Sequence, residues 1–274
     1  MQTVSAGGAV IPALGFGVFR MSGRDVERMV PHALAAGFRH FDTAQIYDNE
    51  ADLGRALHSA GARREELFIT TKIWPANYSA ARFAASLDES LDKLQMDYVD
   101  LLLLHWPNQK VPLAQQIAGL EAARSAGRTR HIGVSNFTIA LVEESRRLSR
   151  APIVTNQVEV HPYIDQTKLI DAMRASDISV TAYYGMADGR VITDPLIRSI
   201  AVAHGKTPAQ VGLRWLVQQG LVALSKTANP ERVAENAAIF DFALTDAEMR
   251  QIHGLARANG RLVNPEGLAP AAWD

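Results

Sequence analysis

The sequence contains no cysteine among its 274 residues. Disulfide bonds, thiolate metal sites and a cysteine nucleophile are therefore excluded, and the composition fits a reducing cytosol. No apolar run reaches the roughly 18 residues that a membrane-spanning helix needs. The first residues have no basic region followed by an apolar stretch, so we expect no signal peptide. These absences predict a cytoplasmic protein without a membrane anchor.

An excess of charge of one sign is also missing. The formal net charge is −1, from 28 basic and 29 acidic residues. A protein that neutralises many phosphates needs a basic face, so we expect no nucleic-acid partner. No cluster of His, Asp and Glu has the spacing of metal ligands, so we expect no metal site. With 47% hydrophobic and 21% charged residues, the composition is that of a globular enzyme.

Eight short apolar runs recur along the chain, each followed by a polar residue or two and then by an amphipathic stretch. Several runs are apolar almost throughout, as expected of strands buried on both faces of a parallel sheet. They span residues 14–18, 37–41, 67–71, 99–104, 132–134, 153–155, 178–182 and 221–224. Eight strands alternating with helices predict a closed (β/α)8 TIM barrel and a single domain over residues 1–274.

The stretches between the runs carry the start signals of helices. Thr207, followed by Pro208 and Gln210, combines an N-cap, a first-turn proline and a capping box. Asn49 before Glu50 predicts a second capped, acidic helix start. Residues 3–11 alternate around two adjacent glycines, which predicts a β-hairpin before the barrel.

After the last run come two further helical patterns and a tail that ends with residues 261–274. We therefore expect extra C-terminal helices and a tail in addition to the barrel. A doubly wound open sheet is the alternative fold. No G-x-G-x-x-G follows the first run, so that alternative lacks the fingerprint of a dinucleotide-binding unit.

Polar residues follow the second, third and fourth runs. In barrel enzymes the reacting groups lie at the C-terminal ends of the strands. The second run leads to Asp42 and then Tyr47, the third to Lys72 and the fourth to His105. A buried lysine is costly unless paired, and Asp42 on the neighbouring strand would pair with Lys72. The ammonium would lower the pKa of Tyr47, making it a proton donor near neutral pH, while His105 could orient a carbonyl.

Each of these residues alone also has an ordinary structural interpretation. An aspartate at a strand end is often a cap, a lysine there a solvated terminus, and a lone histidine or tyrosine a packed side chain. Their joint position at consecutive strand ends favours a catalytic site.

Five segments, in order, resemble the aldo-keto reductase superfamily: DTAQIYDNEADLG, FITTKIW, DYVDLLLLHWP, IGVSNF and TNQVEVHP. The resemblance covers essentially the whole chain. It implies NADPH-dependent reduction of small aldehydes and ketones to alcohols. It also implies that Asp42, Tyr47, Lys72 and His105 form a catalytic tetrad with Tyr47 as the general acid. The last segment, GRLVNPEGLAPAAWD, is similar to the bacterial 2,5-diketo-D-gluconate reductase B group, which also reduces methylglyoxal and simple aldehydes.

The same resemblance implies a cofactor site and a substrate pocket. For the nicotinamide it implies three carboxamide ligands and a stacking ring, which are Ser135, Asn136, Gln157 and Tyr183. For the 2′-phosphate and adenine it implies Lys226, Thr227, Arg232, Glu235 and Asn236. We expect Trp74, Trp106 and Trp273 to line the pocket. Where the family often has Tyr-Ser-Pro-Leu, this chain has Tyr183-Tyr184-Gly185-Met186, so no pyrophosphate ligand is implied.

Two other functions stay open at this point. One is a Schiff-base aldolase in which Lys72 is the nucleophile. The other is an NADPH-binding redox sensor or scaffold with slow turnover, although no partner-binding extension is visible. We expect a monomer whose partner is a small carbonyl substrate.

Overall fold

Eight parallel strands close into a barrel in the computed structural model, which describes residues 2–274. These strands are β3 (Leu14–Gly17), β4 (His40–Asp42), β5 (Phe68–Ile73), β6 (Val99–Leu104), β7 (Thr129–Ser135), β8 (Ile153–Glu159), β9 (Ser179–Tyr183) and β10 (Val222–Ser225). They pair in chain order, and the barrel closes where β10 pairs with β3, with Ala223 opposite Leu14. The predicted barrel is confirmed, and each of the eight apolar runs overlaps one strand.

An antiparallel hairpin of β1 (Thr3–Ala6) and β2 (Ala9–Pro12) precedes the barrel, as predicted. Its turn is formed by Gly7 and Gly8, both with positive φ, a conformation that glycine adopts without steric cost. Ile11 is fully buried against residues near the N-terminal ends of the barrel strands, including Val154 and Val222. The hairpin therefore closes the end of the barrel opposite to the strand ends that carry the polar residues.

Helices surround the barrel and follow its strands. Their bounds are α1 (Gly23–Ala35), α2 (Glu50–Ser59), α3 (Ala80–Leu94), α4 (Leu113–Ser125), α5 (Ile139–Leu148), α6 (Thr167–Ala175), α7 (Arg190–Thr193), α8 (Pro195–His204), α9 (Pro208–Gln218), α10 (Pro230–Ala237) and α11 (Asp246–His253). The predicted capping box of Thr207 and Gln210 opens α9. Within residues 2–274, none of these helices is long and apolar enough to span a membrane.

The main hydrophobic core lies between the barrel and the helices. On α3, for example, Phe83, Leu87, Leu91 and Leu94 are buried along one face. Burying a large apolar side chain fully contributes about 1.5–3 kcal/mol each, so this face fixes the helix against the strands. The barrel wall is thereby held rigid from outside, which keeps the strand ends in fixed relative positions.

Asn49 occupies the N-cap position of α2, but its side chain does not cap the helix. Its buried amide instead donates hydrogen bonds to the backbone carbonyls of Val18 and Met21, at 2.9 and 3.2 Å. Its amide oxygen accepts a 3.0 Å bond from the Thr43 hydroxyl. The predicted side-chain cap is therefore wrong, because these three buried partners satisfy the amide and brace the loop that follows β3.

Candidate active site

Four polar side chains meet at the C-terminal mouth of the barrel. Asp42 ends β4, Lys72 lies in β5, His105 follows β6, and Tyr47 ends the short 3₁₀ helix after β4. The Nζ atom of Lys72 lies 2.6 Å from Oδ1 of Asp42 and 3.4 Å from the Tyr47 hydroxyl. The rings of Tyr47 and His105 are edge-to-face, with centroids 5.5 Å apart. The predicted pair of Asp42 and Lys72 is therefore present, and Tyr47 and His105 lie beside it.

Lys72 is fully buried and is surrounded by oxygen acceptors. Besides Asp42 and Tyr47, it donates a 2.8 Å hydrogen bond to the backbone carbonyl of Thr43. Burial lowers the pKa of Lys72, and the negative charge of Asp42 acts in the opposite direction. A buried cation is tolerated only when it is paired and hydrogen-bonded, and this one is both.

The pKa of Tyr47 is raised well above its ordinary value, so the predicted lowering is wrong for this structure. Burial of the phenol is the main cause, and the charge of Asp42 and the neighbouring Tyr183 act in the same direction. Desolvation disfavours the phenolate, because the charged form loses water that the neutral form needs less. Tyr47 therefore keeps its proton at neutral pH, 3.4 Å from the ammonium of Lys72.

The imidazole of His105 is neutral at physiological pH. Burial moves the pKa of His105 well below its ordinary value, and the positive charge of Lys72 adds to that shift. Its Nδ1 atom is buried and has no hydrogen-bond partner among residues 2–274. A neutral imidazole has a single N–H, so the ring can donate one hydrogen bond or accept one without carrying charge.

Aromatic rings surround these polar groups. The ring centroids of Trp74 and His105 are 5.3 Å apart, and those of Phe19 and Tyr47 are 4.9 Å apart. Trp106 is almost completely buried, and its ring is edge-to-face with that of Trp273, with centroids 6.4 Å apart. Of the three predicted tryptophans, only Trp74 directly contacts the polar cluster. Phe19 was missed from the sequence, although it follows the first barrel strand in the same way that the other site residues follow theirs.

The residues expected at the nicotinamide are hydrogen-bonded to one another at the ends of β7, β8 and β9. The Tyr183 hydroxyl donates to Oδ1 of Asn136 at 2.6 Å, and the Asn136 amide donates to the Ser135 hydroxyl at 3.1 Å. The Ser135 hydroxyl in turn donates to the backbone carbonyl of Gln157 at 2.8 Å. The structure thus brings the four residues together at the mouth, as a connected polar network next to the cluster around Lys72.

The residues expected at the adenosine lie on the loop after β10 and on α10. Lys226 and Arg232 are exposed, and within residues 2–274 neither forms an ion pair closer than 4.0 Å. The Glu235 carboxylate accepts a 2.7 Å bond from the Thr207 hydroxyl. The Asn236 amide donates to Ser225, while its buried oxygen has no partner in the part of the chain described. The exposed cations suit an anionic phosphate. The unsatisfied amide oxygen suits a hydrogen-bond donor, such as the amino group of an adenine.

Thr227 is buried on the same loop, where its hydroxyl accepts a 3.0 Å bond from the backbone N–H of Asn229. A further cation lies nearby, because Arg28 of α1 donates a 2.9 Å bond to the carbonyl of Ala228. No sequence pattern indicates Arg28, since its proximity depends on packing between α1 and α10. Among residues 2–274 no group of three His, Asp or Glu side chains is arranged to hold a metal ion.

Comparison with known proteins identifies the family of this chain. The model of the "Aldo/keto reductase family" matches residues 13–257. The chain belongs to the aldo/keto reductase family. A methylglyoxal reductase DkgB from Yersinia pestis is 43% identical over 267 residues, which cover 96% of this chain and 99% of the relative. A morphine 6-dehydrogenase from Pseudomonas putida is 40% identical over 263 residues, covering 90% of this chain and 88% of the relative.

Solved structures of the family superpose closely on this aldo/keto reductase. A crystal structure assigned as a 2,5-diketo-D-gluconic acid reductase B has a TM-score of 0.98 at 58% identity, covering 100% of this chain and 98% of that one. The aldose reductase from Schistosoma japonicum has a TM-score of 0.89 at 30% identity, covering 94% of both chains. The family and the class of oxidoreductase enzymes predicted from the sequence are thereby confirmed.

Proposed function

We propose that this aldo/keto reductase reduces small aldehydes and ketones, such as methylglyoxal or 2,5-diketo-D-gluconate, to alcohols with NADPH. The observation that carries the proposal is the position of the Tyr47 hydroxyl, 3.4 Å from Lys72 and beside the ring of His105. The relatives named as methylglyoxal and diketogluconate reductases support the substrate class. We propose further that the enzyme acts as a cytoplasmic monomer.

The residues at the mouth fit a bound NADPH. Ser135, Asn136 and Gln157 offer both donors and acceptors to a carboxamide, which needs both. A bound carboxamide would replace the Tyr183 hydroxyl as the hydrogen-bond partner of Asn136. The tyrosine ring would then be free to stack on the nicotinamide. Exposed cations on the loop after β10 and on α10 fit the 2′-phosphate. The chemistry supplied by bound NADPH is a hydride for the carbonyl carbon.

The protein's own part in the reaction is to bind the carbonyl oxygen and to protonate it. His105, as a neutral ring, orients the oxygen through one hydrogen bond, and Tyr47 donates a second. Because the pKa of Tyr47 is raised, the phenol holds its proton at neutral pH, which is the form a general acid requires. As the proton leaves, the positive charge of Lys72 at 3.4 Å stabilises the phenolate that forms. Asp42 keeps Lys72 charged and in position.

The direct test is an assay of NADPH oxidation with a panel of carbonyl compounds. Methylglyoxal, 2,5-diketogluconate, aromatic aldehydes and simple sugars span the size and charge range of the proposed substrates. We expect saturable turnover with at least one small aldehyde and formation of the matching alcohol. A protein that binds NADPH but oxidises it with none of these compounds would instead be a sensor or scaffold.

The aldolase alternative is disfavoured by the surroundings of Lys72. A Schiff base requires an accessible neutral amine, whereas Nζ of Lys72 is fully buried and donates to Asp42 and to the Thr43 carbonyl. Borohydride treatment in the presence of a carbonyl substrate distinguishes the two. A covalent adduct on Lys72 would favour the aldolase.

A further inference from the structure

The carboxylate of Glu159, the last residue of β8, is fully buried and has hydrogen bonds to both oxygens. Its Oε1 atom accepts from the backbone N–H of Leu262 at 2.7 Å, and Oε2 accepts from that of Val263 at 3.0 Å. The guanidinium of Arg261 adds an ion pair at 3.7 Å. Glu159 therefore ties the mouth of the barrel to the C-terminal tail, which we define as residues 260–274.

His161 orients the carboxylate of Glu159 through a hydrogen bond. Nδ1 of His161 accepts a 3.2 Å bond from the backbone N–H of Tyr163, so its proton must be on Nε2. Nε2 then donates a 2.8 Å bond to Oε1 of Glu159. His161 is itself fully buried directly after β8. Its hydrogen bond therefore fixes the position of the Glu159 carboxylate, whose oxygens accept from the tail.

The tail depends on such contacts because it contains no helix or strand. At its start, a Cβ atom on Gly260 would lie 1.7 Å from the carbonyl oxygen of Tyr163, so only glycine lets the backbone pass there. At its end, the Asp274 side chain accepts a 2.8 Å bond from the N–H of Ile139. Between these points the tail contacts Glu159 at the end of β8 and Trp106 after β6, which lie at the mouth end of the barrel.

Trp273 links the tail to the candidate active site. The guanidinium of Arg261 lies 3.7 Å from the centre of its ring, a cation–π contact, and its indole N–H donates a 2.8 Å bond to Asn264. The ring of Trp273 also makes an edge-to-face contact with that of Trp106, which directly follows His105 in the sequence. A chain of contacts thus runs from Glu159 through Arg261 and Trp273 to the residue next to His105.

We propose that Glu159 is a positioning residue that holds Trp273 as a wall of the carbonyl pocket and thereby sets the preference for aldehydes with an aromatic group. The preference part rests on the proposed function. In this scheme a substrate that extends past His105 toward Trp106 would meet the ring of Trp273, which lies 6.4 Å from that of Trp106, whereas a three-carbon aldehyde would be too short. Glu159 contacts neither cofactor nor carbonyl in this scheme, and its effect passes entirely through the tail.

The substitution Glu159→Gln tests the anchor with a side chain of the same size. One carboxylate oxygen becomes an amide nitrogen that cannot accept a backbone N–H, and Arg261 loses its counter-charge. Trypsin cleaves after arginine, so cleavage after Arg261 releases residues 262–274. The rate of cleavage reports the fraction of molecules in which the tail is detached. We expect Glu159→Gln to release this fragment at least about tenfold faster than the wild type. Mass spectrometry measures the release. This readout does not depend on enzyme activity.

The second arm compares propanal with 3-phenylpropanal, which differ only by the phenyl group. In Glu159→Gln we expect KM for 3-phenylpropanal to rise about tenfold, the scale of one lost aromatic contact, with kcat unchanged. KM for propanal should stay within about twofold, since it does not reach Trp273. Trp273→Ala should give the same selectivity, and the double variant should add little, because both changes remove one contact.

Glu144→Gln, which alters an exposed carboxylate on α5, is the matched control and should change neither readout. If Glu159→Gln does not fold, Arg261→Gln removes the same ion pair from the tail side; because this variant lacks the trypsin site, its tail release is compared with that of the wild type by chymotrypsin, which cleaves after Leu262. If the Glu159→Gln variant released the tail at the wild-type rate, Glu159 would not be what holds the tail in place. If the tail were released faster but KM for 3-phenylpropanal did not change, Trp273 would not be a wall of the carbonyl pocket. If the wild type reduces neither these two aldehydes nor any compound of the wider panel, the proposed function fails, while the trypsin experiment still decides whether Glu159 holds the tail. If it reduces other compounds but not 3-phenylpropanal, the preference for an aromatic group is overturned.

Discussion

The side-chain amide of Gln157 donates a 2.8 Å hydrogen bond to Oδ2 of Asp42, the oxygen that Lys72 leaves free. The carboxylate is therefore held on both sides, by a cation and by a neutral amide. This bond connects the residues proposed to hold the nicotinamide with those proposed to transfer the proton. A change in Gln157 should consequently affect both groups.

Gln157→Glu should make folding stability depend on pH. Two carboxylates at this distance repel, so the pKa of the pair rises above its value in the unfolded chain. A raised carboxyl pKa means that the folded state binds more protons, so its stability is lost as pH rises, by about 1.4 kcal/mol for each tenfold difference in proton affinity between the folded and unfolded states. Melting temperatures from pH 5 to 8 should fall in this variant relative to the wild type. The same profile in Gln251→Glu, an exposed control on α11, would contradict the coupling.

Tyr47→Phe should reduce turnover by on the order of a hundredfold or more, because it removes the proton donor. The ring and its packing against Phe19 and His105 are kept, so the variant should still bind NADPH. Fluorescence titration with NADPH and steady-state rates on the best aldehyde measure the two effects separately. A folded variant with a near wild-type rate would refute the proposed role of Tyr47.

Lys72→Met should destabilise the protein by about 3–5 kcal/mol, since it leaves the buried carboxylate of Asp42 without its cation. Adding Asp42→Asn should recover part of that loss, because the unpaired charge is gone. Turnover should fall in both variants. Urea denaturation gives the free energies of unfolding. If Lys72→Met lost less than about 1 kcal/mol, the ion pair would not be the main stabiliser of the buried Asp42 carboxylate.

The double variant Lys226→Ala, Arg232→Ala should weaken NADPH binding by roughly thirty- to a thousandfold, through two lost charge-assisted contacts to the 2′-phosphate. NADH lacks that phosphate, so its binding should be almost unchanged. The preference of the wild type for NADPH should also shrink as salt rises, because exposed charges are screened. Arg198→Ala, at an exposed position on α8, is the control. Equal wild-type affinities for NADPH and NADH at low salt would refute this site but not the catalytic one.

His40 should make the protein less stable as the solution is acidified. Burial lowers the pKa of His40 from 6.5 to about 4, so the folded state keeps the ring neutral while the unfolded chain protonates it. Stability from this residue is thus present above pH 6.5 and is lost as pH falls toward 4, by about 3 kcal/mol over the full span. His40→Gln keeps a hydrogen-bonding partner for the Thr70 hydroxyl and should flatten that slope between pH 7 and 5. His58→Gln, at an exposed position, should not.

The barrel and the pair of Asp42 and Lys72 were predictable because both follow from simple rules. Apolar runs of strand length alternate with amphipathic stretches, and parallel strands bring their ends to one edge. A lysine and an aspartate at adjacent ends then have to meet, as the 2.6 Å contact shows. Nothing beyond strand order was needed for that prediction.

The features that were missed depend on contacts between distant segments. Asn49 does not cap its helix because two carbonyls of another loop reach its amide, and no local pattern indicates that. The pKa of Tyr47 was predicted in the wrong direction because the sequence indicates a nearby lysine but not the extent of burial. Glu159 lies inside a recognised segment, yet its partners lie in the tail, so its role could be inferred only from the folded chain.

The pairing of β10 with β3 joins two ends of the chain, and this has a consequence for synthesis. Until residues 222–225 have left the ribosome, β3 and β9 each have an edge with unpaired N–H and C=O groups. Such edges template pairing with other chains, and closure between distant segments is slow. A nascent chain of this enzyme is therefore exposed to aggregation until nearly its whole length is made, and protection by chaperones matters most during that interval.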